Sequence, residues 1–203
     1  MGAQTLRPTR LPAEERREQL LDATKAIVAR DGFHAVSIEA VAREAGVSRP
    51  IVYGHFNDLS GLLEALVDRE GARALGQLAE VLPRDLSSGD PRENLLAGLR
   101  GYLAAAEADP VTWRLVLMPP EGAPDVLRER VTAGRAAVLA QLAEAIGGGF
   151  GPSVSPDPEL TARMLSTLAD ESARLVLTDP ERYSPERVIE HSRWALGLLA
   201  PRS

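Results

Sequence analysis

Cysteine is absent from the 203 residues. That excludes a disulfide framework, a thiolate metal site and a catalytic thiol, and it is compatible with a reducing compartment. Aromatic residues make up only 4% of the chain. No stretch alternates Val, Ile or Thr with polar residues between turn pairs, so no sheet is expected. No run approaches the roughly 18 apolar residues of a membrane span. Met1 to Arg10 is polar and has no apolar signal core. The expectation is a soluble, cytoplasmic chain with no membrane partner. The histidines, His34, His55 and His191, lack the spacing of a metal pair. No Gly-x-Ser-x-Gly elbow and no Gly-x-x-x-x-Gly-Lys phosphate loop occurs. Gly147-Gly-Gly-Phe-Gly151 is glycine-rich, but no strand precedes it and no Lys follows. No enzymatic activity, metal or cofactor is expected.

What is abundant is Ala and Leu, which favour helices. The net charge is −6, unevenly distributed. Residues 1–56 carry 8 Lys+Arg against 7 Asp+Glu, a balance of +1, and the remainder carries 15 against 22, a balance of −7. The acidity lies outside the first quarter of the chain, so an anionic partner is possible there, with weak, salt-sensitive non-specific binding.

The periodicity is helical throughout. Residues 1–11 read as a flexible arm, either a plain tail or one from which Arg7 and Arg10 reach phosphates. A first helix is expected over 13–30. It opens at Pro12, Glu14 and Glu15, carries the stripe Leu20, Leu21, Thr24, Ile27 and Val28, and stops at Gly32. Phe33 and Val36 should plug the core of a small three-helix unit. Ser37 caps a second helix that turns Ile38, Val41 and Ala42 inward, and Gly46 ends it. Ser48 caps a third, reaching about His55. Asp58 caps a fourth, whose inward face is Leu62, Leu63, Leu66 and Val67. Later helices are expected over 91–108, 110–118, 124–146, 157–178 and 185–200, with a mobile loop from Gly147 to Pro158.

Residues 37–56 form a helix-turn-helix pattern: a short helix, a tight turn at a small residue, and a second helix exposed enough to enter a major groove. Val52 and Phe56, four apart, should face the core. Arg49, Pro50, Tyr53, Gly54 and His55 then point largely outward. An outward Tyr beside an outward His suits hydrogen bonding to phosphate oxygens. The run Gly32-Phe33, Ser37-Ile38, Val41-Ala42, Ala45-Gly46-Val47-Ser48, Tyr53, His55-Phe56 resembles the DNA-binding domain of the tetracycline-repressor (TetR) family. It covers about the first quarter of the chain. The DNA contacts expected are Ser37, Arg43, Ser48, Arg49, Pro50, Tyr53, Gly54 and His55. One position departs from the family pattern: a phosphate-binding Lys is usual three residues after the Phe, and here Leu59 stands there. Backbone N–H groups at the start of the fourth helix could still hold a phosphate.

The resemblance implies an all-α protein in four parts: the arm 1–11, a helix-turn-helix domain 12–57, a linking helix 58–82, and a helical ligand-binding and dimerisation domain 83–203. It also implies a homodimeric repressor of double-stranded operator DNA, released by a small molecule. Candidate ligand contacts, chosen as large or polar residues on apolar faces, are Tyr102, Trp113, Met118, Met164, Leu168 and Glu171, which suit a mostly apolar ligand. Candidate dimer contacts on the last two helices are Leu165, Leu175, Val188, Ser192, Ala195, Leu196 and Leu199. Two alternatives stand beside this: a DNA-binding adaptor of the same fold controlled by a protein partner, and a helical interaction protein that never binds DNA.

Overall fold

The computed structural model describes residues 11–118, 125–150, 152 and 154–198. These residues form α-helices and one 3-10 turn, with no strand among them. Arg7, Arg10 and Leu199 lie outside them. The chain divides into two units, the first ending at Leu66 and the second beginning at Val67.

In the first unit, α1 spans Ala13–Asp31 with Glu14 and Glu15 in its first turn. Its apolar stripe is buried as expected: Leu20, Leu21, Ala23, Thr24, Ile27 and Val28. Each fully buried Leu of this kind stabilises the fold by about 2 kcal/mol. Gly32 follows at φ +83, its N–H on the Val28 carbonyl, and the 3-10 turn Phe33–Ala35 inserts Phe33 into the core. Helix α2 spans Ile38–Glu44, and the Ser37 hydroxyl accepts the Ala40 N–H at 3.1 Å.

Helix α3 spans Arg49–His55. Ser48 occupies its N-cap position, but its side chain makes no capping hydrogen bond, contrary to expectation. Pro50 explains this. It sits second in the helix and has no N–H to offer, and the Ile51 N–H goes to the Ser48 carbonyl at 3.0 Å. Helix α4 spans Leu59–Val81, so the boundary between the units falls inside it. Asp58 does cap it, accepting the Gly61 N–H at 2.8 Å.

In the second unit, three helices start where an Asp precedes a Pro. Helix α5 spans Pro91–Ala108, α6 Pro110–Leu117 and α8 Pro158–Thr178, with Asp90, Asp109 and Asp157 each accepting a first-turn N–H. Proline at the first helical position loses only an N–H that would have been orphaned anyway. Helix α9 spans Pro185–Leu198 after Ser184. Its main core gathers Tyr102, Leu103, Ala106, Trp113, Ala173 and Val176 from α5, α6 and α8.

Helix α7 spans Asp125–Gly149 and departs from expectation at its end. Gly147 to Gly149, expected to open a loop, remain helical. Interior glycine costs about 1 kcal/mol against alanine. Here Leu142, Ala145 and Ile146 are buried with Leu86 and Ala162, and Phe150 packs on that cluster. Gly149 lies so close to Leu86 that a Cβ there would collide with it. The absence of a side chain is what admits Leu86.

Candidate nucleic-acid interface

The turn between α2 and α3 is closed by backbone alone. Gly46 has φ +66, its N–H reaches the Arg43 carbonyl at 3.2 Å, and the Val47 N–H reaches Ala42 at 2.9 Å. This is a Schellman closure, and it needs the left-handed conformation that glycine adopts without strain. It also satisfies carbonyls that the end of α2 would leave orphaned. The Gln19 side chain donates to the Ala45 carbonyl at 3.1 Å, tying α1 to the turn.

Val52 is fully buried and Phe56 nearly so, with the Arg17 guanidinium 4.6 Å from the Phe56 ring centroid. Anchored this way, α3 turns its other side to solvent. Arg49, Pro50, Tyr53 and Gly54 are exposed, Tyr53 to 49%. Arg43 and Ser48 are exposed beside them, whereas Ser37 is half-buried at its capping post. His55 departs from the outward placement: it is half-buried, its ring tilted against Phe56. The reason is phase, since His55 is next to Phe56 and only three residues from buried Val52. Ile51 is exposed to 38% and was not among the residues expected on this face.

Arg49 reaches across to α2 and pairs with Glu39 at 2.8 Å, both side chains well exposed. That hydrogen bond holds the Glu39 carboxyl below its ordinary range. At the start of α4, the Asp58 carboxylate occupies the Gly61 N–H, so a negative group already sits where a phosphate was expected. Leu59 is half-buried.

The second unit holds two hollows. The narrower, of about 350 Å³, lies among α4, α5, α6, α7 and α8. Tyr102 and Trp113 meet in its wall, edge to face at 4.9 Å. The Tyr102 hydroxyl donates to Asp170 at 2.9 Å, and Arg135 of α7 pairs with the same carboxylate at 2.6 Å. Burial, then the Asp170 charge, push the Tyr102 phenol far above its ordinary range, so it remains a hydrogen-bond donor. The wider hollow, of about 930 Å³, is a groove bounded by α5, α8 and α9. Helices α4 and α6 are joined by polar contacts. Buried Glu70 accepts from the Thr112 hydroxyl and pairs with Arg69 at 2.8 Å, and the Trp113 indole donates to Gln77 at 2.8 Å.

Residues 20–66 match the family model described as bacterial regulatory proteins, tetR family. That stretch runs from the α1 stripe through the turn into α4, and it holds the whole exposed face just described. This stretch of the chain is thus similar to the tetR family's regulatory proteins. Two curated relatives are similar over part of their length. The transcriptional activator FasR of Mycolicibacterium smegmatis is 32% identical over 110 residues, 54% of this chain and 49% of that protein. The transcriptional regulator BetI of Yersinia pestis is 43% identical over 86 residues, 42% of this chain and 43% of that protein. The match thus spans about half the length of these relatives. A solved TetR-like regulator from Rhodococcus sp. RHA1 superposes with a TM-score of 0.73 at 26% identity, covering 95% of this chain and all of that one.

The residues named for ligand contact scatter. Tyr102 and Trp113 share the narrower cavity, and Leu168 edges the wider groove. Met118 is half-buried against the main core, Met164 is 61% exposed, and Glu171 is exposed and pairs with Arg174 at 3.2 Å; none of these three lines either hollow. The structure instead brings Asp170 and Arg135 to the cavity. Asp170 was detectable in principle, because it falls in helical phase with buried Ala162, Ala173 and Val176. The dimer candidates Leu165, Leu175, Val188, Ser192, Ala195 and Leu196 all line the wider groove and are half-buried. The large apolar side chains most exposed on the last two helices are others: Leu160, Met164, Leu168 and Trp194.

Proposed function

We propose that this chain is a cytoplasmic transcriptional regulator that binds operator DNA through α3. The observation that carries the reading is the exposed face from Arg49 to Tyr53, set on a buried Val52–Phe56 anchor behind the Gly46 turn. A seven-residue helix held this way fits a major groove, with Tyr53 and Arg43 on phosphates and Arg49 and Pro50 towards base edges. Two chains would read a pseudo-palindrome with half-site centres about 34 Å apart. The homodimer would form through α8 and α9, where Leu160, Met164, Leu168 and Trp194 present apolar surface.

A small molecule in the second unit would release the operator. The Glu70–Thr112 and Gln77–Trp113 contacts join the cavity wall to α4, the helix in which the boundary between units falls. A coupling of about 1–3 kcal/mol would suffice for a useful response.

The deciding experiment is a gel shift with upstream intergenic DNA against random DNA. Tyr53→Ala should weaken operator binding at least about tenfold, or 1.4 kcal/mol, with an unchanged Tm. Intact affinity in that variant would count against the docking. FasR, at 32% identity, is named an activator, which favours activation as a second reading. Reporter transcription with and without the chain decides the sign.

A further inference from the structure

The narrower cavity has a charge arrangement that restricts what it can hold. Among the described residues, four charged side chains line it, Asp68, Arg130, Arg135 and Asp170. They are matched in pairs, Arg130 with Asp68 at 2.8 Å and Arg135 with Asp170 at 2.6 Å. The described lining therefore carries no net charge. The first pair is half-exposed at the cavity edge, and its partners exchange with solvent at little cost. The second is different, because Asp170 is 8% exposed and also accepts the Tyr102 hydroxyl.

An anionic ligand at Arg135 would lie beside the buried Asp170 carboxylate that already neutralises this guanidinium at 2.6 Å, a like charge in a place of low dielectric. A cationic ligand at Asp170 would lie against the Arg135 guanidinium. An uncharged group avoids both penalties: a hydroxyl or amide can donate to Asp170 or meet Ser166 while the pair stays closed. The rest of the wall is apolar, with Trp113 fully buried and its indole N–H already satisfied by Gln77. A volume of about 350 Å³ lies at the low end for small-molecule sites.

We propose that the cavity among α4 to α8 takes an uncharged, mostly apolar molecule with one hydroxyl- or amide-type end turned to Asp170 and Ser166. This rests on reading the second unit as the ligand sensor. The test uses three probes that share one flat apolar body: naphthol, naphthoate and naphthylmethylammonium. Each is titrated calorimetrically into the full chain at neutral pH without DNA. Naphthol should bind at least about tenfold more tightly than either charged probe. Equal or tighter binding of a charged probe, or no binding of naphthol, overturns the proposal.

Location is tested by Gly71→Leu. Gly71 lines the cavity, and a Cβ there meets nothing within 4 Å, so a side chain can start into the space from this position, and leucine improves helix propensity. It should cost naphthol at least about tenfold in affinity; unchanged affinity overturns the assignment. A second readout does not depend on that variant folding. In Trp194→Phe, which keeps an apolar ring on the surface proposed for the dimer and lies outside the cavity lining, Trp113 is the remaining tryptophan. Naphthol should quench its emission with the calorimetric affinity, and failure to quench places the probe elsewhere. Because DNA is absent, the result stands apart from operator binding. Naphthol that binds yet leaves operator affinity unchanged would sink release by ligand and leave the chemistry of the cavity intact.

Discussion

The two units solve the problem of polar groups differently. Among the described residues of the first, Thr24 is the buried polar side chain, and it returns its hydroxyl to the Leu20 carbonyl of its own helix. Charges stay outside, in pairs such as Arg49–Glu39 and Arg30–Glu44. In the second, Glu70, Thr112 and Asp170 are all buried, and hollows persist beside them. A unit that meets a rigid duplex needs its core full and its chemistry at the surface. On the proposed reading, a unit that takes a small molecule needs interior space and interior polarity, and gives up packing to obtain them.

The sharpest way to break this contrast is to truncate one leucine on each side. Leu20→Ala, fully buried in the first unit, should lose about 3 kcal/mol in urea unfolding. Leu75→Ala, 39% exposed at the cavity wall, should lose less than about 1 kcal/mol. Equal losses would show that the second unit is as tightly filled as the first.

Next in size is Thr112→Val. It withdraws a hydroxyl from buried Glu70 and from Asp109 and should cost about 1–2 kcal/mol of stability. A Tm unchanged from the parent would remove the polar link between α4 and α6 from the account.

Smaller still, and confined to the first unit, is Leu59→Lys. It should raise operator affinity a few-fold at low salt and steepen the salt slope by about one. A slope that does not move would mean that residue 59 faces no phosphate.

The smallest effect concerns acid. Glu39 is held below its ordinary range by Arg49, so its contribution is present above the unfolded carboxyl's pKa and is lost as pH falls through the depressed folded value. Glu39→Gln should flatten that acid-side loss in unfolding midpoints and change little at neutral pH, as expected for an exposed pair.

Much of the first unit was legible in the sequence because its determinants are local. The stripe from Leu20 to Val28, the Ser37 cap and the Gly46 stop each act within a turn or two of chain. The starts of α5, α6 and α9 were legible for the same reason, each with a capping residue just before a proline. Most of what was hidden depends on distant partners; the exception is local, at Ser48, whose capping bond is lost because Pro50 has no N–H. Asp170 and Arg135 come together from different helices, and nothing near either residue announces the meeting. Met164 was read as ligand wall and lies exposed outside both hollows, because periodicity places a residue on a face without saying what that face meets.

The three glycines at the end of α7 are identical letters with separate fates. Gly148 has open space where a side chain would go, and Gly147 would make ordinary contact with Pro158. Only Gly149 is occupied by a neighbour, Leu86. A saturation library across this tripeptide should therefore tolerate almost any substituent at 148 and gain thermal resistance from alanine there, while rejecting every side chain at 149, where a Cβ would meet the Leu86 carbonyl group as well as its Cβ.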